Sequence, residues 1–197
     1  MNASTAPLFA PMTLRAVTLR TRIVMSSMTR GFSPGGVPGQ DVAAYYRRRA
    51  EADVGLIVTE RVGVDHPGAL GFGGFEEGEI PVLHGAEALA GWRRVVDEVH
   101  AAFGVIFPQL WHQGVIREPG TGRHPEAPSC RPSGLWGPDS GASSLPRDYV
   151  DRVLPPARPM TESEIGDVIA AFWPQRRECE VGRLRRHRDP RRARLSD

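Results

Sequence analysis

The chain has 197 residues, 40% of them apolar, which is the length of one ordinary domain with enough apolar surface for a core. No run of about 18 apolar residues is present, which excludes a membrane-spanning helix, and the N-terminal MNASTAPLFAPM lacks the basic-then-apolar pattern of a secretory signal. The net charge of +2 hides an asymmetry: residues 176–197 hold nine arginines against Glu178, Glu180, Asp189 and Asp197, and no Lys occurs anywhere.

The first elements are short. Leu8 to Met12 and Val17 to Leu19 read as a small hairpin or an extended cap. Arg22-Ile23-Val24-Met25-Ser26 is a continuous apolar run of the kind that forms a strand buried on both faces of a parallel sheet. Ser27-Met28-Thr29-Arg30 follows, then a loop of chain breakers from Gly31 to Gly36. Asp41 is placed to cap a helix from Val42 to about Ala52. Gly55-Leu56-Ile57-Val58-Thr59-Glu60 is a second buried strand. Residues 63–82 form a Gly-rich loop without the Gly-Lys-Ser/Thr of a phosphate-binding loop.

Leu89, Trp92, Val95, Val96 and Val99 have helical spacing, which predicts a helix from Glu87 to Phe103 with Trp92, Phe103 and the earlier Met25 in the core. Tyr45 and Tyr46 are expected to pack the first helix. Val105 to Leu110 is a third strand, although Pro108 removes a ladder donor from it. A Pro/Gly/Ser-rich stretch covers about 114–159, and Thr161 with Glu164 then forms a capping box opening a helix to about Phe172. The alternation of strand and helix implies an α/β fold with a parallel sheet. Cys130 and Cys179 are far apart and suit a reduced, cytoplasmic protein, and no Cys/His group has zinc-ligand spacing in the sequence.

Four segments carry a family resemblance. They are Leu8-Phe9-Ala10-Pro11 with Arg22 to Thr29; Gly55 to Glu60; Pro108-Gln109-Leu110-Trp111-His112-Gln113-Gly114 with Ala127-Pro128-Ser129; and Arg158-Pro159-Met160-Thr161-Glu162-Ser163-Glu164-Ile165. In this order and spacing, over about residues 7–172, the chain resembles the Old Yellow Enzyme family of FMN-dependent oxidoreductases. The resemblance implies a TIM (β/α)8 barrel type, truncated to about the first three βα units, with chemistry at the C-terminal strand ends. It implies FMN as cofactor, NADH or NADPH as reductant, and an unsaturated carbonyl compound as substrate.

By the same resemblance Ser27, Met28, Thr29, Glu60 and Gln109 contact the cofactor, and Trp111 walls the substrate pocket. Thr29 matches the hydroxyl or thiol that bonds the flavin carbonyl and tunes its potential. Gln109 matches the amide that pairs with the pyrimidine edge, where a donor and an acceptor sit side by side. His112 is expected to be structural rather than catalytic. Arg61 is a departure: the family usually has Gly or Ala there, and a bulky cation either crowds the ring or points out of the site.

The resemblance leads next to a fourth strand ending in His-Gly-Ala-His-Gly-Tyr-Leu, whose His pair and Tyr act on the substrate; this motif is absent, so no catalytic residue is assigned. Residues 189–197 are compatible with the codons GAT-CCA-CGG-CGC-GCA-CGG-CTA-TCT-GAT, which read one base later spell that motif. Residues 173–197 are therefore expected to be a frameshifted reading, or else a disordered Arg-rich tail. The rival function class is a non-catalytic fragment or interaction protein whose basic tail binds nucleic acid, although a nucleic-acid partner is not the expected one. Three strands leave an open sheet edge, so a marginal, aggregation-prone or partner-dependent chain is expected. The phosphate site of such barrels lies after strands seven and eight, so FMN is expected to bind weakly or not at all.

Overall fold

The computed structural model describes residues 4–72, 79–136 and 146–184, with side chains as far as residue 173. A 3-10 turn at Ala6–Phe9 leads into a hairpin of β1 (Met12–Leu14) and β2 (Val17–Leu19), whose register pairs Met12 with Leu19 and Leu14 with Val17. Then come β3 (Val24–Met25), α1 (Gln40–Glu51), β4 (Leu56–Gly63), α2 (Ala86–Ala101) and β5 (Val105–Trp111). A short α3 (Arg147–Val153) and a long α4 (Glu162–Leu184) complete the order. Strands β3, β4 and β5 form one parallel sheet in sequence order, as two successive β-α-β units require.

The main core lies between the sheet and its two crossover helices. Val42, Ala43, Tyr46 and Ala50 recur at helical spacing on α1 and meet Trp92, Val95 and Val99 of α2 over Ile57 and Val62 of β4. Val95 and Val99 are fully buried, and each such side chain stabilises the fold by about 1.5–3 kcal/mol over its exposed state. Gly91 allows α2 to approach closely, because a Cβ there would lie 2.5 Å from the Pro38 carbonyl oxygen. A second cluster joins Val64 and Ala69 to Ala171 of α4, with Leu70, Leu110 and Phe172 beside it.

Several local expectations change. Val24 is 48% exposed and β5 is half-buried along its whole length, so these strands are not covered on both faces by the described residues. Asp41 is not the cap of α1: Gly39 is, and Asp41 sits in the first turn, where its negative charge is favoured by the positive end of the helix dipole. Phe103 is not core. It follows the end of α2 in a left-handed conformation (φ 59°), which turns its ring outward to 79% exposure. The stretch after residue 114 contains α3, which the breaker-rich composition hides.

Pro108 is accommodated by a bulge. The register passes from Val58 opposite Phe107 to Arg61 opposite Gln109, so Thr59 and Glu60 together oppose Pro108. The Thr59 hydroxyl accepts the Gln109 N–H at 3.2 Å and donates to the Glu60 carbonyl at 2.7 Å, replacing the ladder bonds lost there.

The capping box is present: Glu164 N–H donates to Thr161 Oγ1 at 3.3 Å, and Thr161 N–H donates to Glu164 Oε2 at 2.7 Å. Arg158 pairs with the same carboxylate, and these contacts, led by the Arg158 bond, pull its pKa down to about 2. The helix does not end near Phe172 but continues to Leu184. Residues 185–197, which carry the whole of the motif expected from a shifted reading frame, lie outside the described residues, as do 73–78 of the Gly-rich loop and 137–145. Among the described residues no helix is long and apolar enough to cross a membrane.

Candidate active site

Parallel strands deliver their C-terminal ends to one edge of the sheet. Ser27 and Thr29 follow β3, Glu60 and Arg61 lie late in β4, and Gln109 and Trp111 end β5. The structure brings most of them into contact. Ser27 Oγ donates to Gln109 Oε1 at 2.6 Å. Arg61 Nε donates to Thr29 Oγ1 at 2.7 Å, and the Arg61 guanidinium lies 5.1 Å from the centre of the Trp111 ring. Arg61 thus stays within the cluster instead of pointing away from it. Met28 stands apart from these contacts, with 57% of its surface exposed.

Glu60 is fully buried. Its Oε2 accepts the Arg30 and Gly31 N–H groups, each at 2.9 Å, which ties the loop after β3 to β4. Its Oε1 and Trp111 Nε1 are buried without a partner among the described residues. Buried polar atoms ordinarily find a partner, so such atoms mark a place where a further group fits. Tyr46 does more than pack α1: its hydroxyl accepts the Glu60 N–H at 2.9 Å. Burial above all raises the Tyr46 phenol well beyond its usual range, so it stays protonated. The Arg30 guanidinium lies 3.7 Å from the Tyr45 ring centre, with Arg49 at 3.4 Å from the same ring.

His112, just past β5, meets His66 from the loop after β4: His112 Nε2 and His66 Nδ1 are 3.2 Å apart. His66 Nδ1 also accepts the Gly68 N–H, and His112 Nδ1 accepts the Gly114 N–H, both at 3.1 Å. Both Nδ1 atoms are therefore acceptors, and the shared hydrogen belongs to His112 Nε2. Burial, then His66 and Arg117, lowers the His112 pKa to about 4. One nitrogen of each ring and Cys130 Sγ fall within 4.8 Å of one another.

Arg117 is a residue that the sequence did not single out. It is fully buried and binds four carbonyls, of Leu70 (3.1 Å), Ala127 (2.7 Å), Thr121 (2.8 Å) and His124 (2.6 Å). It fastens the loop carrying Cys130 to the loop carrying His66. An isolated Arg in a Pro/Gly-rich stretch has no periodicity to betray it. A separate cleft of about 600 Å³ is lined by Leu70, Gly71, Phe72, Ile80 and Arg123 among others, and none of Ser27, Thr29, Glu60, Gln109 or Trp111 lines it.

Residues 7–179 match the NADH:flavin oxidoreductase / NADH oxidase family. The chain is 39% identical over 109 residues to 12-oxophytodienoate reductase 7 of Oryza sativa subsp. japonica, covering 55% of this chain and 26% of that protein. It is 35% identical over 170 residues to the "probable inactive dehydrogenase easA" of Claviceps fusiformis, covering 86% of this chain and 40% of that one. Among solved structures, morphinone reductase in complex with tetrahydroNAD superposes with a TM-score of 0.70 at 26% identity, over 89% of this chain and 46% of that one. The chain thus spans less than half the length of each of these proteins. The architecture is that of a TIM barrel of the Old Yellow Enzyme type, of which the chain supplies only part.

Proposed function

The chain belongs to the NADH:flavin oxidoreductase / NADH oxidase family, and on that premise we propose that its strand ends hold FMN in a barrel that reduces activated alkenes. Ser27, Met28, Thr29, Glu60 and Gln109 are the proposed cofactor residues, and Trp111 walls the substrate pocket. When bound, FMN supplies two-step hydride chemistry, accepting from NADH or NADPH and giving to an unsaturated carbonyl compound.

The donor set supports the fit. The Ser27 hydroxyl engages Gln109 Oε1, which leaves the Gln109 amide NH2 to donate. Arg61 fills one lone pair of Thr29 Oγ1, which leaves the Thr29 O–H to donate. Glu60 fixes the backbone of the loop between Thr29 and α1. The observation that carries the reading is the gathering of Ser27, Thr29, Arg61 and Gln109, from three separate strands, at one edge of a parallel sheet. Complete alkene reduction is proposed for the whole barrel, of which this chain spans under half the length of its relatives.

The test is retention of flavin absorbance by the 197-residue chain after FMN is added and the sample is desalted. Retention that weakens in Gln109→Ala supports the proposal. Loss of all flavin from the folded chain supports instead a non-catalytic protein, the state named for one of its relatives.

A further inference from the structure

Three segments far apart in sequence converge beside the strand ends. His66 comes from the loop after β4, His112 from the residue after β5, and Cys130 from the loop fastened by Arg117. We propose that His66, His112 and Cys130 form a zinc(II) site, distinct from the flavin residues and independent of them.

The ligand chemistry points to that cation. Two imidazoles and a thiolate suit a borderline-soft ion and not magnesium or calcium, which take oxygen ligands. The 3.2 Å between His112 Nε2 and His66 Nδ1 is close to the edge of a zinc tetrahedron, about 3.3 Å for Zn–N bonds of about 2.0–2.1 Å. Among the described residues Cys130 Sγ makes one long contact, with the Pro128 carbonyl at 3.8 Å, and from within 4.8 Å of both nitrogens it moves inward to reach a Zn–S distance of about 2.3 Å. Three protein ligands leave the fourth position to water.

The proton balance is simple and needs no redox partner. The Cys130 thiol loses its proton to solvent, and zinc replaces the hydrogen that His112 Nε2 now shares with His66 Nδ1. The His112 proton moves to Nδ1, which gives up the Gly114 N–H contact, and zinc takes the His66 Nδ1 lone pair, which gives up the Gly68 N–H contact. Burial favours the neutral forms of both rings, so neither must lose a charge before binding. Burial also raises the Cys130 thiol, and the nearby Arg117 cation acts in the opposite sense, toward the thiolate. Glu164 and Asp167 of α4 and Asp65 after β4 add negative charge nearby, the first felt by Cys130 and the other two by His66.

The site would clip the loops after β4 and β5 to the 114–130 segment, a task that Arg117 begins with four hydrogen bonds. Sequence spacing does not show it, because the three ligands lie on separate loops rather than in one motif.

The test titrates the chelator-treated full chain with cobalt(II), then displaces it with zinc(II). One equivalent should bind with a thiolate-to-cobalt charge-transfer band. Cys130→Ser should remove the band, and His112→Ala should weaken binding at least about tenfold. Cys179→Ser should leave both unchanged. No band in the unmodified chain, or a band lost in Cys179→Ser but kept in Cys130→Ser, overturns the proposal. Because the variants risk misfolding, X-ray absorption on the zinc-loaded unmodified chain gives a direct second reading. Two nitrogens and one sulfur around the zinc support the site, and a shell without sulfur overturns it.

Discussion

Arg61 Nε donates to Thr29 Oγ1 at 2.7 Å across the gap between β4 and the loop after β3. The bond joins the position expected to tune the flavin with the cation that replaces a small residue of the family pattern. Its consequence is directional. A hydroxyl that receives an Arg N–H keeps its own hydrogen free to donate, and the nearby positive charge favours a reduced, more negative ring.

With FMN bound, Arg61→Ala should therefore lower the flavin midpoint potential by on the order of 20–40 mV, the equivalent of about 1–2 kcal/mol for a two-electron couple. Thr29→Ala should lower it too, and the double variant should fall short of the sum, because the two residues act as one unit. Dye-equilibration titrations measure this. An additive double variant would separate the two roles.

Gln109→Ala should weaken FMN binding at least about tenfold in a fluorescence-quenching titration, since it removes both the amide and the partner of Ser27. Ser27→Ala should cost less, because the Gln109 amide remains and loses only its orientation. Equal affinity in all three proteins would place the cofactor elsewhere.

Glu60→Ala strands the Arg30 and Gly31 N–H groups and should destabilise the chain by about 2–4 kcal/mol in urea unfolding. Glu60→Gln keeps one acceptor and should cost roughly 1 kcal/mol. If the two variants are equally damaged, the charge matters more than the acceptor geometry.

Thr59→Val keeps the shape of the side chain and deletes its hydroxyl. The Gln109 N–H loses its acceptor at the bulge and the Glu60 carbonyl loses a donor. A loss of about 1–2 kcal/mol is expected, read by chemical denaturation. An unchanged midpoint would mean that water closes the bulge equally well.

His112 gives the fold a pH dependence. Its folded pKa, about 4, lies below the unfolded value of 6.5, so the folded state takes up its proton less readily. Its contribution is present above pH 6.5 and is lost as pH falls from there toward about 4. Allowing for its partial exposure, the contribution is on the order of 1–2 kcal/mol. Unfolding midpoints of the metal-free chain at intervals through that window should fall with acidification, and His112→Gln should flatten the fall.

The sequence by itself determined the order of the three sheet strands and of α1, α2 and α4, the parallel sheet and the capping box at Thr161 and Glu164, because each rests on side chains a few positions apart. It also placed Ser27, Thr29, Gln109 and Trp111 at strand ends, where the structure joins Ser27 to Gln109 and sets Arg61 between Thr29 and Trp111, whereas Glu60 lies within β4, which runs on to Gly63. Only the tertiary structure decided what those residues touch. The Arg61–Thr29 bond spans 32 positions and the Ser27–Gln109 bond 82, and such pairs follow from sheet register, to which local periodicity is blind. The bulge at Pro108, the outward turn of Phe103 and the meeting of His66, His112 and Cys130 have the same origin. Each is set by how separate segments fit around a shared core, and no short stretch of sequence encodes that fit.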